Sequence, residues 1–474
     1  MSVSNLDAER PAADIAQRVE SLLGRMTLAE KIGQMTQRNA GCTDPVEALG
    51  ERLRSGRLGS VLNLVDVDRV NELQRIAVEE SRLGIPLLVG RDVIHGFATI
   101  MPLPIGQAAS FNPDVVRDGA RIAAREAAAA GVNWTFAPMI DVARDPRWGR
   151  IAESYGEDPH LTSVMGVAAV EGFQGSDLAA ADSIAACAKH FAGYGAAEAG
   201  RDYAATYIPE TELRNVHLRP FRAAAEAGVA TFMTSFSDVN GVPATANEFL
   251  LRRILREEWG YQGPVVSDWD SVRQLRVHGL TENDRESAYA AVSAGVDVEM
   301  EGDAYCSHLA ALLDEGRIDI AAIDAAVRRL LRLKFALGLF ENPYTDPGAS
   351  SAARDDALAV ARESALQSIV LLQNRNDVLP LDADRMNSVA VIGPLADAPY
   401  EQLGTWVFDG NPDLSVTPLT AIRQLLCDRA EVRYVKAMKN SRDAAGPGFD
   451  GAVDAAAAAD AALLFLGEES ILSG

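Results

Sequence analysis

Short apolar runs and longer segments of helical spacing alternate along the first three quarters of the chain. Between the runs, apolar residues recur every three or four positions, as they do on one face of a helix. This alternation predicts βαβ units and a parallel sheet. The apolar runs, each of which we predict to be a strand, lie at 85–89, 132–140, 184–188, 229–234, 264–267 and 296–300.

The first helix of this region is predicted to begin at the run TLAE, residues 27–30. A threonine followed three residues later by a glutamate forms a capping box, in which each side chain accepts a hydrogen bond from a backbone amide near the other. Ile32 and Met35 then start an apolar face. We therefore expect a helix ahead of the predicted strands.

Polar residues collect directly after the predicted strands. In a (β/α)8 barrel the carboxyl ends of the strands hold the active site, and in a doubly wound open sheet they also hold the ligand. No Gly-rich dinucleotide fingerprint follows the first strand, and no P-loop motif occurs. The pattern thus predicts where the site lies but leaves both folds open. The residues concerned are Arg91, Asp92, Asp141, Lys189, His190, Ser235, Asp268, Trp269, Asp270, Glu299 and Glu301.

The chain divides near residue 340. The run GLFENPYTDPGASS is rich in Pro, Gly and Ser and predicts a linker at 338–352, between a barrel-like domain at 1–337 and a second α/β domain at 353–474. In the second domain we predict helices at 353–372, 417–426 and 452–461 and strands at 388–392, 432–435 and 462–466. The sequence ends in LFLGEESILSG, after a strand and without a closing helix. We therefore expect this domain to be incomplete on its C-terminal side.

Composition excludes several classes of function. The formal net charge of −23 and the pI near 4.7 argue against a protein that tracks nucleic-acid phosphates or binds an anionic membrane surface. The four cysteines show neither CxxC spacing nor a neighbouring histidine pattern, so we expect reduced or buried thiols and no zinc site, while a bound structural cation stays open. No secretory signal and no apolar run of membrane-spanning length is visible. We expect a cytoplasmic protein, or a periplasmic or secreted one if a signal was removed.

Asp268 is the most informative of the polar residues. An aspartate after a strand more often caps a helix or turn than acts in a site. Here, however, ionisable groups of both signs are predicted to converge on one edge, where their desolvation would be costly unless a ligand needed them. That convergence favours a polar, uncharged ligand rich in hydroxyl groups.

A series of motifs in the chain resembles glycoside hydrolase family 3, of the β-glucosidase type. The resemblance is continuous over residues 25–345 and looser to the end. It implies a TIM-like (β/α)8 barrel followed by an α/β sandwich domain. The motifs, in chain order, are MTLAEKIGQM, SRLGIPLLVGRDVIHGF, APMIDVARDPRWGRIAESYGEDPHL, KHFAGYG, VNGVPATANEFLL, GYQGPVVSDWDSV and RRLLRLKFALGLFENPY.

The resemblance also implies an activity. A member of this family would be a retaining, exo-acting β-glycosidase that removes terminal β-D-glucosyl residues from small β-glucosides or oligosaccharides through a covalent glycosyl-aspartate. It would need no cofactor. Retention requires a nucleophilic carboxylate and an acid carboxyl about 5 to 5.5 Å apart. The sequence leaves open whether the protein forms a homodimer.

Residue roles follow from the matching positions. Asp268 falls on the family's nucleophile. Asp92, Arg150, Lys189 and His190 match residues that bind sugar hydroxyls, and Met233 and Trp269 match apolar walls against the pyranose ring.

Electrostatics support the nucleophile and separate it from its neighbour. Lys189, Arg150 and Arg201 are cations that would favour the ionised form of Asp268. We expect Asp270 to cap a helix near Ser271 rather than to act in the site.

The chain departs from the family at two places. Phe236 replaces a tyrosine whose hydroxyl can bond the nucleophile. The loop after His190 reads FAGYGAAEAGRDYAAT and lacks the histidine and the aspartate-histidine pair of members that act on N-acetylglucosamine, which disfavours that substrate.

The general acid has no counterpart among the barrel motifs. The β-glucosidase pattern places it in the second domain, where Glu468 and Glu469 are the available carboxylates, although the true acid could lie beyond Gly474. A β-xylosidase of the same family is the alternative activity. A sugar-binding fragment without the general acid is the alternative from another class.

Overall fold

A computed structural model describes residues 6–40, 45–348, 354–427, 429–443 and 448–473 of the chain. Within these residues, eight parallel strands of the N-terminal domain follow one another around a closed ring. Neighbours pair in parallel, single bridges join the fourth strand to the fifth and the seventh to the eighth, and the eighth pairs with the first. The strands are β1 (Thr36–Asn39), β2 (Ser60–Leu62), β3 (Leu88–Arg91), β4 (Trp134–Thr135), β5 (Cys187–Phe191), β6 (Thr231–Thr234), β7 (Val265–Val266) and β8 (Glu299–Met300).

Helical segments connect the strands and surround them, so the predicted TIM-like barrel is confirmed. The capping box is also confirmed: Thr27 accepts from the amide of Glu30, and the carboxylate of Glu30 accepts from the amide of Thr27 at 2.8 Å. The α-helices of this domain are Leu6–Leu23, Leu28–Gln34, Val46–Arg54, Val67–Arg75, Pro104–Ala108, Pro113–Ala129, Pro159–Gln174, Glu210–Glu212, Arg219–Glu226, Ser271–Gln274, Asp284–Ala294, Ala304–Asp314 and Ile320–Ala336, and the wider π-helical segments are Ile76–Glu80, Leu213–His217 and Phe249–Glu258.

The first two barrel strands, β1 and β2, are absent from the prediction. No apolar run marks β1. β1 reads TQRN and is buried at all four positions. Two of its polar side chains have partners inside the barrel: Arg38 donates to the carbonyl of Gly302 at 3.2 Å, and Asn39 accepts from Asn63 at 3.0 Å. The side-chain amide of Gln37 is buried without a hydrogen-bond partner among the described residues. A strand buried through polar contacts gives no hydrophobic signal.

The second domain is a three-stranded parallel sheet with a helix on each face. The order is β10 (Glu431–Val435), β9 (Ser388–Ile392), β11 (Ala461–Leu464). Alternate side chains of β9 point to opposite faces, where Val391 packs near the helix Pro418–Leu426 and Ile392 near the helix Phe449–Ala457. This layering is the predicted α/β sandwich.

The connection between the domains returns to the barrel surface. The backbone of Thr345 exchanges two hydrogen bonds with the side chain of Asn71, at 2.8 and 2.9 Å. The predicted helix at 353–372 is shorter than expected: the structure has Arg354–Ser368, and residues 369–372 lie outside it with exposed side chains. The β-branched pair Ile369 and Val370 disfavours its continuation. No helix of the described part of the chain has the length and apolar character of a membrane span.

Candidate active site

Asp268 lies two residues beyond β7, at the carboxyl-end mouth of the barrel, with 7% of its surface exposed. Its Oδ1 accepts from the backbone amide of Trp269 at 2.7 Å. Its Oδ2 lies 3.5 Å from Nε2 of His190 and has no hydrogen-bond partner among the described residues. One carboxylate oxygen is therefore anchored while the other is available to a ligand.

His190 is fully buried and held from both sides. Its Nε2 lies 3.1 Å from Nη2 of Arg150, and a guanidinium can only donate, so Nε2 must accept. The proton is then on Nδ1, which donates to Oδ2 of Asp141 at 2.8 Å. These contacts define a neutral imidazole, and burial lowers the His190 pKa well below its usual value.

Arg150 joins the cluster through a buried ion pair. Its Nε and Nη2 donate to the two carboxylate oxygens of Glu153 at 2.7 and 3.1 Å. The two residues are neighbours on one short turn, Gly149–Glu153, which lies against the mouth. Because the carboxylate of Glu153 compensates the charge of Arg150, the guanidinium can stay charged while it is buried next to Asp268.

Lys189 is the second cation of the mouth. It lies on β5 with 3% of its surface exposed, and its Nζ donates to Oδ1 of Asp92 at 2.8 Å. Burial is the largest effect and works against the ammonium charge, but the carboxylates of Asp92, Glu153 and Asp268 together outweigh it and raise the Lys189 pKa. An ammonium has three donors, so this single described hydrogen bond leaves donors for sugar hydroxyls.

The charges around Asp268 act in opposite directions. Burial raises its pKa to about 6, Arg150 and Lys189 oppose that rise, and Asp92 adds to it. Burial also raises the pKa of Asp141 to about 7, against the backbone amide of His190 and the charge of Arg150. Asp268 is therefore ionised at neutral pH, but with a more basic carboxylate than an exposed aspartate has.

The predicted apolar walls flank this cluster. Met233 is buried on β6, and Trp269, next to Asp268, is 38% exposed. Phe236 packs against Tyr203 and Tyr194 with ring centroids 4.9 and 6.0 Å apart. Phe236 therefore has no hydroxyl to donate to Asp268. This agrees with the Oδ2 of Asp268, which has no hydrogen-bond partner among the described residues.

Two predicted residues lie apart from the cluster or act differently. Arg201 is exposed on the loop after β5 and forms no ion pair with any described residue. Asp270 occupies the N-cap position of the helix Ser271–Gln274, as predicted, but its side chain makes no capping hydrogen bond. It lies 3.4 Å from Arg273 instead. A left-handed φ of 54° at Asp270 turns the carboxylate away from the helix amides.

Glu468 and Glu469 follow β11 in the second domain. Glu468 is exposed, and Glu469 contacts Ser441 at 3.2 Å and Arg442 at 3.5 Å. Both partners belong to the second domain, and among the residues described no hydrogen bond or ion pair joins either glutamate to Asp268. The role of proton donor stays a prediction for both.

Three residues of the site were not assigned a role from the sequence. Asp141 was noted only as one of the polar residues that follow a predicted strand, and Glu153 stands three residues after Arg150, the spacing of a pair on one helical turn. Trp406 comes from the second domain, and its ring centroid lies 5.4 Å from Arg150 and 5.9 Å from Lys189. Nothing local in the sequence connects a tryptophan to a cation more than two hundred residues away.

The arrangement combines a carboxylate with one free oxygen, hydrogen-bond donors on two cations, and apolar and aromatic walls. Such a site suits a polyhydroxylated ring: the cations and carboxylates bind hydroxyls, and the rings cover its apolar face. Within the described residues, no group of three or more His, Cys, Asp and Glu is placed to hold a metal ion.

Comparison with known proteins agrees with the fold. The glycosyl hydrolase family 3 N-terminal domain matches residues 27–333, and the C-terminal domain of the same family matches residues 369–474. The chain therefore belongs to glycoside hydrolase family 3.

Individual relatives are longer than this chain. A periplasmic beta-glucosidase of Salmonella typhimurium is 39% identical over 432 residues, which cover 90% of this chain and 56% of that protein. A putative beta-xylosidase of Formosa agariphila is 36% identical over 414 residues, covering 82% and 55%. A beta-glucosidase of Listeria innocua, solved in complex with isofagomine, is 36% identical with a TM-score of 0.90, covering 97% and 64%.

Proposed function

We propose that the protein is a retaining, exo-acting β-glucosidase that hydrolyses terminal non-reducing β-D-glucosyl residues. The observation that carries this proposal is the carboxylate of Asp268: buried, flanked by Arg150 and Lys189, and with an Oδ2 that receives no hydrogen bond from the part of the chain that the structure describes. A nucleophile must be ionised and unblocked, and this oxygen is both. The similarity to beta-glucosidases of Salmonella typhimurium and Listeria innocua supports the choice of glucose.

The reaction has two steps. Oδ2 of Asp268 attacks the anomeric carbon, the bond to the aglycone oxygen breaks, and that oxygen takes a proton from an acid. Water then attacks the same carbon, giving its proton to the conjugate base of the acid, and the bond to Asp268 breaks. Glu468 or Glu469 is proposed as the acid, from the position of β11.

Asp92, Arg150, Lys189 and His190 are proposed to hold the sugar. The carboxylate of Asp92 can accept from two hydroxyls while Lys189 donates to others, a charge-assisted pattern that rejects sugars lacking a hydroxyl. Met233 and Trp269 supply the apolar contacts. Arg201 is proposed as an outer cation, since its loop borders the mouth.

A β-xylosidase is the second candidate, because beta-xylosidases are among the relatives of similar identity. Xylose lacks the hydroxymethyl group of glucose, so the two activities differ in how the site contacts that group. A sugar-binding role without catalysis is the third, and it would retain the contacts of the mouth. A cytoplasmic location stays a prediction.

Initial rates with 4-nitrophenyl β-glucoside and 4-nitrophenyl β-xyloside, at matched concentrations, test the proposal. A kcat/KM that is higher for the glucoside supports a β-glucosidase, and the reverse supports a β-xylosidase. Binding of isofagomine without turnover of either substrate would support the non-catalytic role. Trapping with a 2-fluoro glucoside and mapping the labelled peptide tests the nucleophile: a label on any residue other than Asp268 refutes the assignment.

A further inference from the structure

The two domains meet at the mouth of the barrel through a loop of the second domain, residues 404–410, which we call the mouth loop. Its most specific contact is between Arg91, the last residue of β3, and Asp409. Nε and Nη2 of Arg91 donate to the two carboxylate oxygens of Asp409 at 2.9 and 3.0 Å. The remaining Nη1 donates to Asn63 at 2.9 Å, and the guanidinium lies 4.7 Å from the ring centroid of Phe408.

The pair is largely shielded from solvent, since the side chains of Arg91 and Asp409 are 11% and 15% exposed. A bidentate pair at this burial fixes the relative orientation of its two partners as well as their distance. Surface ion pairs elsewhere in the chain, with both side chains exposed, would not do so. Arg91 therefore orients the mouth loop against β3.

The mouth loop also packs closely along the barrel. The Nε2 of His95 lies 2.7 Å from the carbonyl oxygen of Thr405. A Cβ on Gly404, which has a φ of +85°, would meet a side-chain atom of Leu103 at 2.9 Å, and one on Gly410 would meet Ile100 at 2.8 Å. Glycines at both ends thus permit a close approach that another residue would prevent.

Trp406 needs this support. Its φ is +55°, a left-handed conformation that is costly for a bulky residue and persists only where the surroundings hold it. Its ring covers the cations Arg150 and Lys189, and its Nε1 is buried without a hydrogen-bond partner among the described residues. The ring therefore forms a wall of the mouth that the barrel itself does not supply.

We propose that Arg91 and Asp409 are positioning residues, which set Trp406 over the sugar-binding cations and so determine how tightly the site holds its substrate. Two neighbouring residues make these contacts: Arg91 orients the mouth loop, and Asp92 pairs with Lys189 inside the site. The end of β3 thus links the domain contact to the sugar contact. This inference rests on the proposed function for its kinetic test but not for its structural one.

The kinetic test is a cycle of variants in the full chain, assayed with 4-nitrophenyl β-glucoside. We expect Asp409→Asn to raise KM roughly tenfold, because small displacements of a substrate-positioning group have effects of this size or larger, and to change kcat by less than roughly threefold. Trp406→Ala should raise KM similarly. Since Asp409 acts through Trp406, Asp409→Asn in the Trp406→Ala background should raise KM no further. Arg91→Lys keeps the positive charge but loses the bidentate hydrogen bonding, and it should behave as Asp409→Asn does.

A matched control removes another bidentate pair far from the mouth. Arg214 donates to both carboxylate oxygens of Glu258 at 2.7 and 3.0 Å, between the segments Leu213–His217 and Phe249–Glu258, and neither residue contacts the mouth loop among the described residues. Glu258→Gln should leave KM unchanged. An equal effect of Asp409→Asn with and without Trp406, or no effect on KM, overturns the proposal.

A second measurement does not depend on activity. Acrylamide quenching of tryptophan fluorescence should increase in Asp409→Asn, because the released ring becomes more accessible, and this increase should disappear in the Trp406→Phe background. If the wild-type protein hydrolyses no aryl β-glycoside, the proposed function fails, and quenching alone decides the positioning role. An unchanged quenching constant in Asp409→Asn then refutes it.

Discussion

Asp141 accepts two hydrogen bonds from His190 through one oxygen, Oδ2: from the backbone amide at 2.9 Å and from ring Nδ1 at 2.8 Å. This carboxylate fixes both the orientation of the imidazole and the nitrogen that carries the proton. Nε2 is thereby an acceptor facing Arg150 and Asp268, which explains why Oδ2 of Asp268 receives no hydrogen bond from the histidine. The free oxygen of the proposed nucleophile is a consequence of a contact on the far side of the ring.

Removal of Asp141 should lower the activity through a change in the orientation of His190 rather than through the loss of a contact with the substrate. Asp141→Ala leaves two buried donors of His190 without an acceptor, and we expect kcat/KM to fall roughly 10² fold, as for other residues that orient an active-site histidine. Asp141→Asn keeps an accepting oxygen and should lose less. Steady-state kinetics and one-dimensional proton NMR of the imidazole N–H signals check this. Equal losses in the two variants would contradict the orienting role.

Asp268 and Asp270 offer a matched comparison within three residues. Asp268→Asn removes the proposed nucleophile, and we expect at least a roughly 10³-fold loss of kcat on 4-nitrophenyl β-glucoside, in the range found when a covalent catalyst is removed. Asp270→Asn should retain most activity, because Asp270 contacts Arg273 and asparagine accepts its left-handed φ. A large loss in Asp270→Asn would place that carboxylate in the site.

The raised pKa of Asp268 predicts a dependence of activity on pH. The nucleophile must be ionised, and its pKa is about 6 in the folded protein. We therefore expect log(kcat/KM) for 4-nitrophenyl β-glucoside to fall with unit slope below about pH 6. An acid limb near pH 4 instead, the ordinary range of an exposed aspartate, would contradict the effect of burial.

The same shift predicts a dependence of stability on pH. A carboxyl whose pKa is higher in the folded than in the unfolded state binds more protons when folded, so its ionisation destabilises the fold as pH rises from about 4 to about 6. Asparagine does not ionise, so the Asp268→Asn variant is free of this destabilisation. The Tm of Asp268→Asn should exceed that of the wild type at pH 7, by an amount equivalent to roughly 2–3 kcal/mol, and match it near pH 4. Thermal unfolding at both pH values measures the difference.

The buried pair of Arg150 and Glu153 predicts a loss of stability. Glu153→Gln leaves a buried guanidinium without its counter-charge, which costs roughly 3–5 kcal/mol in comparable pairs. The exposed pair of Arg222 and Glu226, with side chains 65% and 67% exposed, provides the control. Glu226→Gln should change the free energy of unfolding by at most roughly 0.5 kcal/mol. Similar Tm values for the two variants would contradict the role of burial.

Strand prediction succeeded at β9, where burial is apolar, and failed at β1, where burial is polar; it also missed β2, which has only three residues. The predicted strand at 388–392 coincides with β9, whose sequence SVAVI is buried through apolar side chains. β1 was missed because its buried residues are Thr36, Gln37, Arg38 and Asn39. Arg38 and Asn39 find partners in distant parts of the chain, such as Glu301 for the backbone amide of Asn39. Those partners are not visible in a local pattern.

The strand pattern by itself determined a parallel α/β architecture and the edge at which Asp92, Lys189, His190 and Asp268 meet, because strand ends and apolar spacing are local properties. The barrel and the sandwich followed from the resemblance of the motifs to a known family. Only the tertiary structure decided the protonation of His190, the free oxygen of Asp268, and the presence of Trp406 over Arg150 and Lys189. Each of these depends on distances between side chains far apart in the chain, and such distances are set by how the domains pack. The bidentate contact of Arg91 with Asp409, which joins residues 318 positions apart, belongs to that second group.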